Sequence, residues 1–185
     1  MKHIATVALV FNLGAACIYA QQRPVSMTFS GNGAPNAIDM KYPNTSTNEE
    51  NVAGSGTFGQ FTFRDLRAAS NSPQPSATCS ATFFPSVAGG AVFRFQDGNL
   101  MTATLTGGGD CIDFVHMTAH CTLTFKITGG TGRFAGATGN LTYSETPGVV
   151  FLDSTGVPVL TTETGEITGT ISGVGPEDVR ENGQG

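Results

Sequence analysis

Apolar and polar residues alternate with a period of two in one stretch of this chain after another, and that limits its fold more than any other feature. Val25, Met27 and Phe29 alternate with Ser26, Thr28 and Ser30, and Phe61 and Phe63 with Gln60, Thr62 and Arg64. The pattern returns at Phe93 and Phe95, at Met101, Ala103 and Leu105, at Leu123, Phe125 and Ile127, at Leu141 and Tyr143, and at Ile167 and Ile171. Successive side chains of a strand point to opposite faces, so each run reads as a strand with one buried side. Beyond the first twenty residues no window carries the spacing of an amphipathic helix. Asp97-Gly98-Asn99 marks a tight hairpin between two of the runs. About eight such strands joined by short turns predict an all-β sandwich or barrel.

The runs read as six to eight residues, shorter than the roughly 9–11 that cross a bilayer. Their polar faces are rich in Thr, and no aromatic girdles flank them, so the sequence predicts a soluble barrel and no membrane span after signal cleavage. Gly31 to Asn51 and Asn71 to Pro75 read as loops, and 174–185 as a flexible tail. Asn44-Thr45-Ser46 and Asn140-Leu141-Thr142 match the N-glycosylation sequon, a match too short to carry weight. A net charge of −5 without a Lys/Arg cluster argues against nucleic acid, whose phosphates require a concentrated basic patch.

Lys2 and His3 precede the apolar run Ile4 to Ile18, and Ala20 supplies a small residue for cleavage. This is the layout of a signal peptide over 1–20, with a mature domain over 21–173 that is secreted or periplasmic. Two alternatives are a lipoprotein attached at Cys17, with Gly14 where a lipobox has Leu, and an uncleaved anchor.

Gly130-Thr131-Gly132-Arg133-Phe134-Ala135 fits a loose dinucleotide fingerprint after a strand. That fingerprint requires a helix to follow, and a glycine-broken, strand-like segment follows instead. The better reading is a turn: Gly129 and Gly130 end a strand, Phe134 tucks under it as an apolar plug, and Gly136 and Gly139 allow close backbone approach before the next strand.

The run Phe125-Lys126-Ile127-Thr128-Gly129-Gly130-Thr131-Gly132-Arg133-Phe134-Ala135-Gly136 resembles the signature shared by the allene oxide cyclase and dirigent families. It also resembles secreted bacterial proteins with this barrel. The resemblance covers about twenty residues. It implies an eight-stranded antiparallel barrel, often a homo-oligomer, with an apolar interior. The residues expected to line that interior are Phe61, Phe63, Phe93, Phe95, Met101, Leu105, Leu123, Phe125 and Ile127. The catalytic groups of the cyclases lie in early strands that do not align here, so no catalytic residue is carried over.

Of the mature cysteines, Cys111 and Cys121 bracket a loop, and a disulfide between them would contribute about 2–3 kcal/mol and leave Cys79 odd. Cys79 pairing with either is the alternative. Cys111, His116, His120 and Cys121 also offer zinc-type ligands, but the spacing matches no common zinc module, and no metal or cofactor is expected. Glu163 and Glu166 fall on opposite faces of a strand, and Glu145 and Asp153 read as a solvated hairpin. Asp65 shares the parity of Phe61 and Phe63 and is the nearest candidate for a carboxylate inside the barrel.

Three functions follow: a module that binds a small apolar ligand, which the sequence favours; an isomerase- or cyclase-like enzyme; and a solid structural barrel. A solid core predicts no cavity, a binder a cavity without buried titratable groups, and an enzyme a cavity reached by a buried carboxylate, Tyr or Cys.

Overall fold

The computed structural model describes residues 21–176. The signal peptide expected at 1–20 and the tail beyond Pro176 lie outside the described residues. Eight strands follow in chain order: β1 (Arg23–Asn36), β2 (Thr45–Gly56), β3 (Gly59–Ser70), β4 (Thr82–Phe95), β5 (Leu100–Asp113), β6 (Thr118–Gly130), β7 (Thr138–Leu152) and β8 (Pro158–Ser172). Each pairs antiparallel with the next, and β8 returns to β1, so the chain closes into an eight-stranded barrel. Closure leaves no unpaired edge.

Alternation decides what faces in. Phe61, Phe63, Phe93, Phe95, Met101, Leu105, Leu123, Phe125 and Ile127 are all buried in one core with Met27, Leu141, Tyr143 and Ile167. Cross-strand register sets Phe63 against Phe93 and Phe61 against Phe95. The Phe63 and Phe93 rings meet edge to face at 4.8 Å. Burying each such side chain stabilises the fold by about 1.5–3 kcal/mol.

Thr28, Thr62, Arg64, Arg94, Thr104, Thr124 and Lys126 point outward and are exposed or half-buried. A lipid-facing barrel needs an apolar outer band, and this outer face is polar. The strands run 12 to 15 residues, longer than the sequence indicates, so the outer face and not strand length carries that argument. Among the described residues no helix is long and apolar enough to cross a membrane.

One end of the barrel is closed by the glycine-rich connection. Gly129 and Gly132 sit at positive φ, and a single 3-10 turn, Gly132–Phe134, drives the Phe134 ring into the barrel. Phe134 stacks on Phe95 at 4.6 Å and meets Phe58 edge to face at 5.4 Å. Arg133 is buried across the same rings, donates to the Phe58 carbonyl at 2.9 Å and pairs with Asp97 at 2.9 Å. The plug reading of Phe134 holds. Gly136 differs from expectation: a Cβ there would make only ordinary contact, at 3.6 Å from Gly173 O, whereas one at Gly139 would overlap the Thr170 carbonyl. The start of the expected tail is tied down, since Val174 packs on the core and Gly175 N–H donates to Arg133 O at 2.7 Å.

The other end, the mouth, departs from the sequence expectation. Gly31 to Asn51 is not one loop: β1 runs to Asn36 and β2 begins at Thr45, leaving only 37–44 between them. The inward position near the start of β2 is the polar Glu50, so this part of the strand shows no apolar alternation. In β5 the register slips between Leu105 and Gly107, where a bulge inserts one residue. The slip exchanges the faces of β5, since one extra residue reverses the parity of everything after it. The inward positions change from 101, 103 and 105 to Asp110, which lies opposite Cys121.

That slip also corrects the expected disulfide. Cys111 and Cys121 do not pair: Cys121 is buried inside the barrel and free, while Cys111 belongs to the opposite face of β5 and bonds to Cys79, on the connection between β3 and β4. The link closes a loop with a sequence separation of 32, for which chain entropy gives about 3–4 kcal/mol.

Candidate functional site

Inside the mouth half of the barrel the apolar core gives way to a layer of ionisable side chains. Glu50 on β2, Asp65 and Arg67 on β3, Glu145 on β7 and Glu163 on β8 are each at most 5% exposed. Asp110 on β5 joins them, 20% exposed at its side chain. Register explains the convergence, because Glu50 lies across from Asp65, Asp110 from Cys121, and Cys121 from Glu145.

Arg67 is the hub. Its Nη1 donates to Glu50 and, at 3.3 Å, to Asp65, while Nη2 lies 3.7 Å from Asp110 and 3.9 Å from Glu145. Burial alone would pull the Arg67 pKa down, but the Glu50 carboxylate and its neighbours hold it well above the ordinary value. One guanidinium does not neutralise five carboxyl groups, and Asp65, Glu145 and Glu163 hold their protons more tightly than usual. Burial, then the charge of Glu50, pushes Asp65 up to about 7. The same two causes push Glu145 up to about 11. Burial raises Glu163 to about 7 against the opposing hydrogen bond from Thr161.

Glu145 lies beside Glu50 and Glu163, and the charge of each adds to burial in raising its proton affinity. Tyr143 donates to Glu145 Oε2 at 2.5 Å, and burial followed by the Glu50 charge raises the phenol pKa far beyond its usual value. Burial does the same to the Cys121 thiol, so Cys121 stays protonated at neutral pH. The Thr161 hydroxyl lies between Gly33 O, at 3.1 Å, and a Glu163 carboxyl oxygen. Gly33 on β1 makes room for that carboxyl: a Cβ there would stand 2.7 Å from Glu163 Oε1.

Above this layer opens a cavity of about 550 Å³. Glu50, Arg67, Asp110, Glu145 and Glu163 line it, together with apolar side chains of the β5–β6 hairpin (Ile112, Phe114, Met117) and of the β7–β8 hairpin (Val149, Leu152, Leu160). Phe114, Met117 and Val149 are more than half exposed and form a greasy rim. The size suits a small molecule, and apolar walls with a few convergent polar groups are the usual make-up of such sites.

The nine residues expected to line a ligand site lie inside the barrel, but none lines this cavity. They pack its closed half solid. Asp65 is where parity places it, buried beneath the cavity. Glu163 faces in and Glu166 out, as their spacing requires. Glu145 corrects the sequence reading, since it is buried in the layer and only Asp153 belongs to an exposed hairpin turn. Cys111, His116, His120 and Cys121 are not brought together. His116 pairs with Asp113 at 2.7 Å, and His120 meets Ser144 on the outer face at 3.2 Å. Among the described residues no group of three or more His, Cys, Asp or Glu is arranged to hold a metal ion.

No family model matches the chain, and no curated protein and no solved structure matches it. The functional reading rests on the geometry of the mouth.

Proposed function

We propose that this is a secreted barrel that takes a small, largely apolar molecule into its mouth and moves a proton on it, an isomerase- or cyclase-like activity. One observation carries the reading: three buried carboxyl groups, Glu50, Glu145 and Glu163, line one small cavity with a greasy rim, and burial with the Glu50 charge raises the proton affinity of Glu145 and Glu163. A solid structural barrel has no use for such a cavity, and a passive apolar pocket has no use for buried carboxyls. The Cys79–Cys111 disulfide supports an oxidising compartment.

The roles divide by proton affinity. Glu163, with its pKa near neutrality, is the general base, and Glu145, held protonated, the general acid. The Glu163 carboxylate takes a proton from a substrate carbon, and that electron pair shifts along the substrate. Glu145 then delivers its proton to the far end. The net change is a proton shift with no change of oxidation state. Proton exchange between Glu145 and Glu163 resets the pair.

The test is solvent exchange. The protein is incubated in heavy water with a panel of small apolar enones and β,γ-unsaturated carbonyl compounds, and deuterium uptake is read by mass spectrometry. Uptake by one or more compounds that depends on the protein and falls at least about 100-fold in Glu163→Gln is the expected result. Binding of panel members without exchange would replace the enzyme with a binding module.

A further inference from the structure

We propose that the molecule seated in the mouth carries a protonated amine, held by the Glu50 carboxyl oxygen that accepts no hydrogen bond within the protein, at the base of the cavity. This names the substrate class and rests on reading the mouth as a small-molecule site.

Charge is the first argument. The ionisable residues lining the cavity are Glu49, Glu50, Asp110, Asp113, Glu145 and Glu163 against Arg67 alone. Two of the six are already engaged at the edge. Glu49 is bonded to Arg64 and Asn36, and Asp113 to His116. Of the remaining four, Glu145 is held protonated, which leaves Glu50, Asp110 and Glu163, with Asp65 beneath, to face one guanidinium. Lys41, in the loop between β1 and β2, pairs with Asp39 and does not line the cavity.

The second argument is independent of charge. Glu50 is 2% exposed, and while its Oε1 accepts from Arg67, its Oε2 receives no hydrogen bond from any donor. A buried carboxylate oxygen without a donor costs free energy, so a ligand that supplies a donor binds more tightly for doing so. Glu163 Oε2 is likewise without a donor, which suits its role as the base. Both of these oxygens are acceptors, so the group that meets them must donate.

An anionic ligand is the wrong partner. The Nη atoms of Arg67 are turned toward Glu50, Asp65, Asp110 and Glu145, and a carboxylate or phosphate would meet those same acceptors first. A quaternary ammonium has charge but no N–H, and the cavity wall includes a single aromatic ring, Phe114, where an aromatic cage needs several. A primary or secondary ammonium on an apolar body satisfies the charge, the acceptor oxygen and the apolar walls together.

The experiment is titration calorimetry of the mature, oxidised protein at neutral pH with octylamine, octanol, octanoate and octyltrimethylammonium, whose chains are matched. Octylamine is expected to bind at least about tenfold more tightly than octanol, octanoate more weakly than both, and the quaternary salt no better than about threefold from octanol. Glu50→Gln is expected to bring octylamine within about threefold of octanol, and Glu163→Gln to keep most of the preference. Equal or tighter binding of octanol or octanoate overturns the proposal. So does a quaternary salt that binds as tightly as octylamine, because diffuse attraction to an acidic mouth would then suffice. Where Glu50→Gln fails to fold, the wild-type series decides alone. Deuterium exchange without amine preference would sink this inference and leave the proposed activity standing. Amine preference without exchange would do the reverse.

Discussion

Tyr143 donates its hydroxyl hydrogen to Glu145, two residues further along the same strand, at 2.5 Å, while its ring stacks between Phe29 at 4.6 Å and Phe63 at 5.2 Å. One side chain thus joins the two halves of the barrel. Its ring belongs to the solid aromatic core and its oxygen to the carboxyl layer. Tyr143→Phe keeps the ring and deletes the donor, so it leaves a buried carboxyl oxygen with one partner fewer. The expected loss is about 1–3 kcal/mol, read as a lower urea midpoint with an unchanged slope. A neutral result would mean that water or Glu50 replaces the phenol at no cost.

Phe134 tests the closed end in the same way. It is fully buried, packed on Phe58 and Phe95 with Arg133 across the same rings. Phe134→Ala should cost about 3–5 kcal/mol, because the barrel wall is held by paired strands and cannot collapse into the space. Urea denaturation gives the number. A loss below about 1 kcal/mol would show that the plug is dispensable for stability.

Disulfide connectivity is a prediction with a yes-or-no answer. Digestion without reduction should release Cys79 and Cys111 in one linked peptide pair and Cys121 as a free thiol after unfolding. Cys79→Ser should destabilise by about 3–4 kcal/mol, whereas Cys121→Ser should leave the disulfide mass deficit intact. A Cys111–Cys121 linked peptide would contradict the β5 register that places Asp110 in the barrel.

The strand pattern is legible in the sequence wherever burial is apolar, because a Phe or Leu at every second position is what a strand with one buried face requires. The mouth is illegible for the same reason. There the inward positions include Glu50, Arg67, Glu145 and Glu163, which look like solvated residues until the barrel closes around them. Asp65 stands out because it continues the parity of Phe61 and Phe63. Asp110 is hidden by the bulge after Leu105, a slip that leaves no compositional mark beyond the glycines 107–109. The cavity's position is hidden too, since it depends on which end of the aromatic column the carboxyl layer caps.

The carboxyl layer also sets how stability depends on pH. Asp65 and Glu163 have folded pKa values of about 7, and Glu145 about 11, all above the roughly 4 of an unfolded carboxyl. The folded state therefore binds their protons more tightly than the unfolded chain does. Their contribution is fully present below about pH 4 and is lost progressively as pH rises, the loss being complete above about 7 for Asp65 and Glu163 and continuing to about 11 for Glu145. Asp39, Glu49, Asp113 and Asp153 act in the opposite sense, because hydrogen bonds hold them below the usual range and their contribution disappears only on further acidification. Between pH 5 and 8 the buried group dominates. Tm should therefore be higher at pH 5 than at pH 8, by about 5–10 °C for one net proton released across that interval. Glu163→Gln should shrink the difference, since an amide has no proton to lose. Differential scanning calorimetry over this range decides it: a Tm that is flat or rises toward pH 8 would mean that the layer is ionised throughout, and would remove the basis for assigning Glu145 as the acid and Glu163 as the base.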